Sequence, residues 1–139
     1  MIDSAQSIEN LINQINLFFL SSVDQKGFPN TKAMLSPRKR EGLHTFYFTT
    51  ALSSKKAIQF SQNPNANLYF CNPQTYDGVM LLGTAEVLTE PKLKEELWRE
   101  GDSLYHSLGV TDPDYCVIKF TADNGRFYSN LKSEDFQVI

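Results

Sequence analysis

The sequence predicts an α+β fold that is mainly β: a six-stranded antiparallel barrel with short flanking helices. Three observations carry this expectation. Short β-prone runs recur along the 139 residues and are separated by turn residues. Gly83 interrupts the longest run, Gly78 to Glu90, at a place where a bulge would bend a sheet into a barrel. Helical patterns intrude at only three points, too few for a layered α/β sheet.

The elements follow in order. Ile8, Leu11, Ile12 and Ile15 recur at helical spacing and predict a short amphipathic first helix. Phe18 to Val23 is apolar and β-prone, and Asp24-Gln25-Lys26-Gly27 is turn chemistry. Pro29 to Leu35 reads as the returning strand, with its proline at the start where a missing N–H does least harm. Arg38-Lys39-Arg40 reads as a solvated hairpin loop, and Leu43 to Thr50 as the next strand. A helix opens at Ser54 and ends by Asn63-Pro64, because proline biases its predecessor away from helix. Asn67 to Cys71 is a strand, Asn72 to Asp77 a loop, and Gly78 to Glu90 the long strand. Pro91 suits the first turn of a helix carrying Leu93, Leu97 and Trp98 and ending near Gly101. Tyr105 to Pro113 is irregular. Cys116 to Thr121 with Arg126 to Asn130 reads as a closing hairpin across Asp123-Asn124-Gly125, since Asn-Gly is a strong turn signal.

Composition narrows the function classes. A single domain over residues 1–139 is expected from the length. The net charge of −3 argues against a general nucleic-acid or membrane surface. Cys71 and Cys116 lie far apart in apolar runs and read as reduced thiols, with neither a redox pair nor a zinc pattern. No basic leader or long apolar run is present, so a cytoplasmic location is the expectation. His44 and His106 have no partners at metal-ligand spacing, so no metal site is expected. Ser53 and Ser54 lack the companions of a catalytic nucleophile, and Asp102 and Asp114 show no acid or base task.

The stretch Phe48 to Ala57 carries the most chemistry. Ser53 or Ser54 is a good N-cap for the helix that follows. Lys55 and Lys56 then fall in its first turn, where the macrodipole is already positive and each cation costs roughly 0.3–1 kcal/mol. A bound anion would remove that conflict. Free N–H groups, a serine hydroxyl, Thr49, Thr50 and two ammonium groups could together cradle a phosphate. The plainer alternative is a solvated lysine pair that tolerates a small penalty.

The order of these pieces resembles a known family. A strand bearing Lys32-Ala33-Met34, a strand ending Phe48-Thr49-Thr50, the Ser54-Lys55-Lys56 helix, Asn63-Pro64 and the run Val79-Met80-Leu81-Leu82-Gly83-Thr84-Ala85-Glu86 follow one another as in the pyridoxamine 5′-phosphate oxidase-like FMN-binding split barrels. Glu96-Leu97-Trp98 and Asp112-Pro113 resemble the small general-stress-protein branch. The resemblance covers nearly the whole chain. It implies a split β-barrel homodimer that binds FMN between its subunits.

Residue by residue, the resemblance implies that Lys32 stands where the family usually has an Arg that reaches the flavin phosphate or ring edge, and that Met34 occupies the strand position whose backbone usually faces the isoalloxazine. It assigns Thr49, Thr50, Ser54, Lys55 and Lys56 to the flavin phosphate and its surroundings. Gly78 replaces a Gln that often bonds the flavin, and Tyr128 replaces a Trp near the dimer-related flavin. In true oxidases an Arg and a His follow that aromatic and hold the substrate phosphate. Leu131-Lys132-Ser133-Glu134-Asp135-Phe136 supplies neither, and its two acids would repel a phosphate.

The resemblance therefore implies an FMN-binding flavoprotein, an oxidoreductase on an unassigned small molecule with NAD(P)H as a candidate donor, and not a true pyridoxamine phosphate oxidase. A non-catalytic flavin-binding stress module is one alternative. A dimeric barrel with a vestigial pocket is another, and a related barrel holding deazaflavin or haem a third. Haem would want a histidine in the pocket, and neither His44 nor His106 is expected there.

Overall fold

The computed structural model describes residues 4–138. Helix α1 (Ser4–Ile12) buries Ile8, Leu11 and Ile12, the face that its spacing predicts. Strands β1 (Leu17–Val23) and β2 (Pro29–Leu35) form a hairpin in register from Leu17↔Leu35 to Val23↔Pro29. The Asp24 carboxylate closes its turn by accepting from the N–H groups of Lys26 and Phe28, both at 2.9 Å. Then come β3 (Lys39–Glu41), β4 (Thr45–Ala51), α2 (Lys55–Gln62), β5 (Asn65–Cys71), β6 (Gly78–Leu88) and α3 (Pro91–Leu97). Two 3₁₀ turns, Asp102–Leu104 and Gly109–Thr111, lead into β7 (Tyr115–Ser129) and β8 (Lys132–Gln137). Among the described residues no helix is long and apolar enough to cross a membrane.

All strand pairings are antiparallel, and the order across the sheet is β2-β1-β5-β6-β7-β4-β3, with β8 beside β7. The sheet curls strongly. Phe18 of β1 and Phe48 of β4 lie four places apart in the order, yet their ring centroids are 6.3 Å apart. Phe18, Phe46, Phe48, Phe70 and Phe120 are all buried inside the curl. Each contributes roughly 1.5–3 kcal/mol by leaving water. Helix α2 closes one side through buried Ala57 and Phe60.

The sheet has eight strands rather than six, because β3 and β8 add to the expected set. The expected hairpin across Asp123-Asn124-Gly125 does not form: β7 runs unbroken through it. Gly125 is needed for close packing, since a Cβ there would lie 2.6 Å from the Phe136 ring and 2.8 Å from the Met80 carbonyl oxygen. The reversal comes later, at Asn130 and Leu131, whose φ angles of 52° and 63° suit a tight hairpin turn. Leucine rarely adopts that conformation, so the sequence carries little sign of it. Helix α3 stops at Leu97, and Trp98 packs edge-on against Tyr115 with centroids 5.1 Å apart.

Gly83 does mark a bulge. The β6–β7 register slips between Leu82↔Asn124 and Gly83↔Ala122, leaving Asp123 unmatched. At the same place β7 changes partners on its other edge, from β4 at Thr121↔Thr45 to β8 at Asn124↔Gln137. A Cβ on Gly83 would lie 1.9 Å from the Thr121 carbonyl oxygen, so the two backbones approach only because no side chain intervenes. Gly83→Ala is expected to lower unfolding free energy by roughly 1–3 kcal/mol or more in urea denaturation. A change below about 0.5 kcal/mol, typical of a neutral surface position, would contradict this role.

Candidate functional site

Helix α2 begins as its cap chemistry demands. Ser54 is the N-cap, with extended backbone, and its Oγ accepts from the Ala57 N–H at 3.3 Å. Ser53, the other candidate, is tied elsewhere: its N–H and Oγ donate to the Asp114 carboxylate at 2.8 and 2.9 Å. The first N–H groups of the helix, on Lys55 and Lys56, have no helical acceptor. Both lysines thus stand at a terminus that already carries partial positive charge.

Among the described residues no carboxylate pairs with them. The ion pairs among the described residues are Arg38–Asp102, Lys39–Glu96, Arg40–Glu9 and Arg126–Asp135. Lys32, Lys55 and Lys56 are in none of them. Lys56 is half-buried, and its ammonium is pulled below the ordinary lysine range by that burial and then by repulsion from Lys32. An anion held between the two would reverse both effects.

A cavity of about 430 Å³ opens beside this pair, in the seam where the two ends of the sheet face each other. Strand β2 supplies Lys32 and Met34, β4 supplies Phe48, Thr49 and Thr50, and α2 supplies Lys56. The middle of the cavity is apolar. Its far wall is formed by Arg38, Asp102, Tyr105 and His106. Arg38 grips Asp102 through two 2.8 Å bonds and also donates to the Leu97 carbonyl at 2.9 Å. Asp102 takes a further N–H from Arg99 at 2.8 Å. The guanidinium beside it holds the Asp102 carboxyl below the usual carboxylate range. Tyr115 seals the wall from behind: its hydroxyl donates to the Lys94 carbonyl at 2.8 Å, and burial pushes it up to about 12.

Five of the residues named from sequence therefore line one cavity: Lys32, Met34, Thr49, Thr50 and Lys56. Ser54 and Lys55 line an adjoining hollow with Ser22, Asn30 and Gln59, and Lys32 and Lys56 stand between the two. Gly78 and Tyr128 line neither. They are cross-strand partners in β6 and β7, and Tyr128 packs edge-on against Tyr69. A Cβ on Gly78 would lie 2.5 Å from the Tyr69 hydroxyl, which by itself explains the glycine.

Two expectations are corrected here. Arg38-Lys39-Arg40 is not a solvated loop: Lys39 and Arg40 lie in β3, Arg40 pairs with Glu9 at 2.6 Å, and Arg38 braces the cavity wall. His106 does line the cavity, against the expectation that neither histidine stands there. Arg38 and Asp102 stand 64 positions apart, and no local pattern links them. His44 is exposed, as expected, with Nδ1 2.7 Å from Thr45 Oγ1.

The family model for pyridoxamine 5′-phosphate oxidase matches residues 4–129. The chain belongs to this family. A solved Clostridium acetobutylicum protein, related to general stress protein 26 of Bacillus subtilis and of the pyridoxinephosphate oxidase family, is 33% identical. That likeness covers 99% of this chain and 97% of the other, with a TM-score of 0.87. General stress protein 26 from Bacillus anthracis shares the fold at 22% identity, over 97% of this chain and 98% of the other, with a TM-score of 0.78. An FMN-binding protein related to pyridoxamine 5′-phosphate oxidase, from Nostoc punctiforme, shares it at 13% identity, over 98% and 95%, with a TM-score of 0.71. The pyridoxine/pyridoxamine 5′-phosphate oxidase of Legionella pneumophila is 34% identical over 82 residues, 57% of this chain. The match spans only 37% of that relative's length.

The family resemblance read from the motif order is thereby borne out, together with the curled antiparallel fold. In this member the segment after Tyr128 is strand β8. Its Asp135 pairs with Arg126 at 2.6 Å, Glu134 accepts from Ser4 Oγ at 3.1 Å, and Phe136 packs on the core.

The Arg38–Asp102 pair gives a pH-dependent prediction. A carboxyl held below its unfolded value contributes stability above that value, near 3.8, and loses it as pH falls through the folded one. Asp102→Asn should cost about 3 kcal/mol at neutral pH by stranding a part-buried guanidinium. The gap from wild type should shrink as pH drops below 3.8. A gap that stays constant throughout would contradict the assignment.

Proposed function

We propose that this protein is an FMN-binding flavoprotein, an oxidoreductase acting on a small molecule other than pyridoxamine phosphate. One observation carries the reading: Lys32 of β2 and Lys56 at the start of α2 line one cavity together with Met34 and Phe48, and among the described residues neither has a carboxylate partner. Lys56 is half-buried with no carboxylate partner among the described residues, and such a cation is costly unless something anionic binds it. A phosphomonoester joined to a flat ring meets both halves of the site.

Lys56 and Lys32 would hold the phosphate, with Thr49, Thr50 and the N–H of Lys56 completing its shell. Lys55 and Ser54 would act from the adjoining hollow, by charge and by capping. Met34 and Phe48 offer the ring an apolar seat. When bound, flavin supplies the exchange of hydride or electrons between a donor such as NAD(P)H and an acceptor. The protein's part is to orient the ring and exclude water. Leu35 and Tyr105, 72% and 76% exposed at the cavity rim, support a second copy of the chain covering the open side. Gly78 and Tyr128 would then contribute from that second copy. The acids of β8 are engaged in structural contacts and offer a substrate phosphate no cation partner, which supports a substrate other than pyridoxamine phosphate.

The test is a ligand series on wild type and Lys56→Ala. FMN should bind the wild type, and the variant should lose about tenfold to a hundredfold, the worth of one charge-assisted bond. Riboflavin, which has no phosphate, should bind both alike. Pyridoxamine phosphate should neither bind appreciably nor bleach bound flavin, whereas NADH or NADPH should bleach it anaerobically. Equal loss for FMN and riboflavin would remove the phosphate role, and turnover of pyridoxamine phosphate would overturn the substrate reading.

A further inference from the structure

His106 is 6% exposed and lines the same cavity as Lys32 and Lys56. Its position is fixed from several sides. Its backbone N–H donates to the Asp102 carbonyl at 3.0 Å, and its own carbonyl accepts from Gly109 at 2.9 Å. The ring packs against Tyr115 and Trp98, with centroids 5.0 and 6.3 Å away. Asp102 and Asp112 lie nearby, but each already has its own donors: Arg38 and the Arg99 N–H for the first, the Leu108 and Asp114 N–H groups for the second.

The two ring nitrogens differ sharply. Among the described residues Nδ1 of His106 is the buried side-chain atom left with no hydrogen-bond partner. Nε2 is not sealed in this way. A neutral imidazole carries one proton, on one nitrogen or the other. A buried N–H with no acceptor is rarer than a bare acceptor, so the proton belongs on Nε2, where the cavity can satisfy it.

We propose that His106 is a ligand-binding residue of this cavity, an Nε2–H donor to a carbonyl oxygen or bare ring nitrogen of the flat heterocycle bound there. It recognises the ring, while the lysines recognise the phosphate. The inference rests on the flavin reading above and extends it to a residue that the motif order did not supply. A donor whose ring is already held by Tyr115, Trp98 and its own backbone bonds loses little freedom on binding, which is the arrangement that turns a modest bond into specificity.

Two measurements test it on the whole protein. Heteronuclear NMR of the ring nitrogens in the ligand-free protein should show the His106 proton on Nε2. FMN and riboflavin affinities are then compared for wild type, His106→Phe and His106→Gln. Phenylalanine keeps the ring's shape without its N–H, and should weaken both ligands equally, by about three- to tenfold. Glutamine, whose amide nitrogen can reach the place of Nε2, should restore part of that loss. Lys56→Ala, by contrast, should discriminate between the two ligands. A proton on Nδ1, or unchanged flavin affinity in His106→Phe, would overturn the role of His106 and leave the flavin site standing. A wild type that binds neither flavin would overturn the flavin reading and this inference together.

Discussion

One long strand holds the molecule in shape. β7 pairs with β6 along almost its whole length, but its other edge is shared between β4 and β8. The register slip opposite Gly83 lies at that hand-over and bends the ladder where the sheet must turn. Everything at the candidate site follows from this bend. It brings β2 and β4, strands from opposite parts of the sheet order, to face each other across a seam. Filling the curl with phenylalanine rings then fixes the width of that seam.

The seam has two chemical ends. At one, a capped helix start, the half-buried Lys56 and the exposed Lys32 create a positive field. At the other, every charge is spoken for: Arg38 is satisfied by Asp102 and the Leu97 carbonyl, and Lys94 donates to the Asp112 carbonyl at 3.1 Å. The contrast matters because burial penalises unpaired charge much more than paired charge. The fold satisfies Arg38 thoroughly, yet leaves Lys32 and Lys56 in one cavity with no ion-pair partner among the described residues.

Much of this was legible in the residues because local physics wrote it there. Serine before a helix and Asn63-Pro64 after it fixed the limits of α2, and Gly83 within a β-prone run announced the bulge. The lysines in the first helical turn stood out because they oppose the dipole. What failed to show depends on contacts between distant segments. Asn124-Gly125 has the chemistry of a turn, but Phe136 and the Met80 backbone claim the space that Gly125 leaves open. Leu131 forms the real turn in a conformation its side chain disfavours. The Arg38–Asp102 wall and the half-sealed ring of His106 arise only when β3 and the 3₁₀ turns meet, so no spacing in the chain foretells them.

The central claim is that the seam is a flavin site completed by a second copy of the chain. Sedimentation equilibrium at micromolar protein with added FMN, followed through the flavin's visible absorbance, tests it most directly. The flavin should travel with a species of twice the 15.8 kDa chain mass, at one flavin per chain. Flavin that sediments free of the protein, or that rides on a monomer with undiminished affinity, would contradict it.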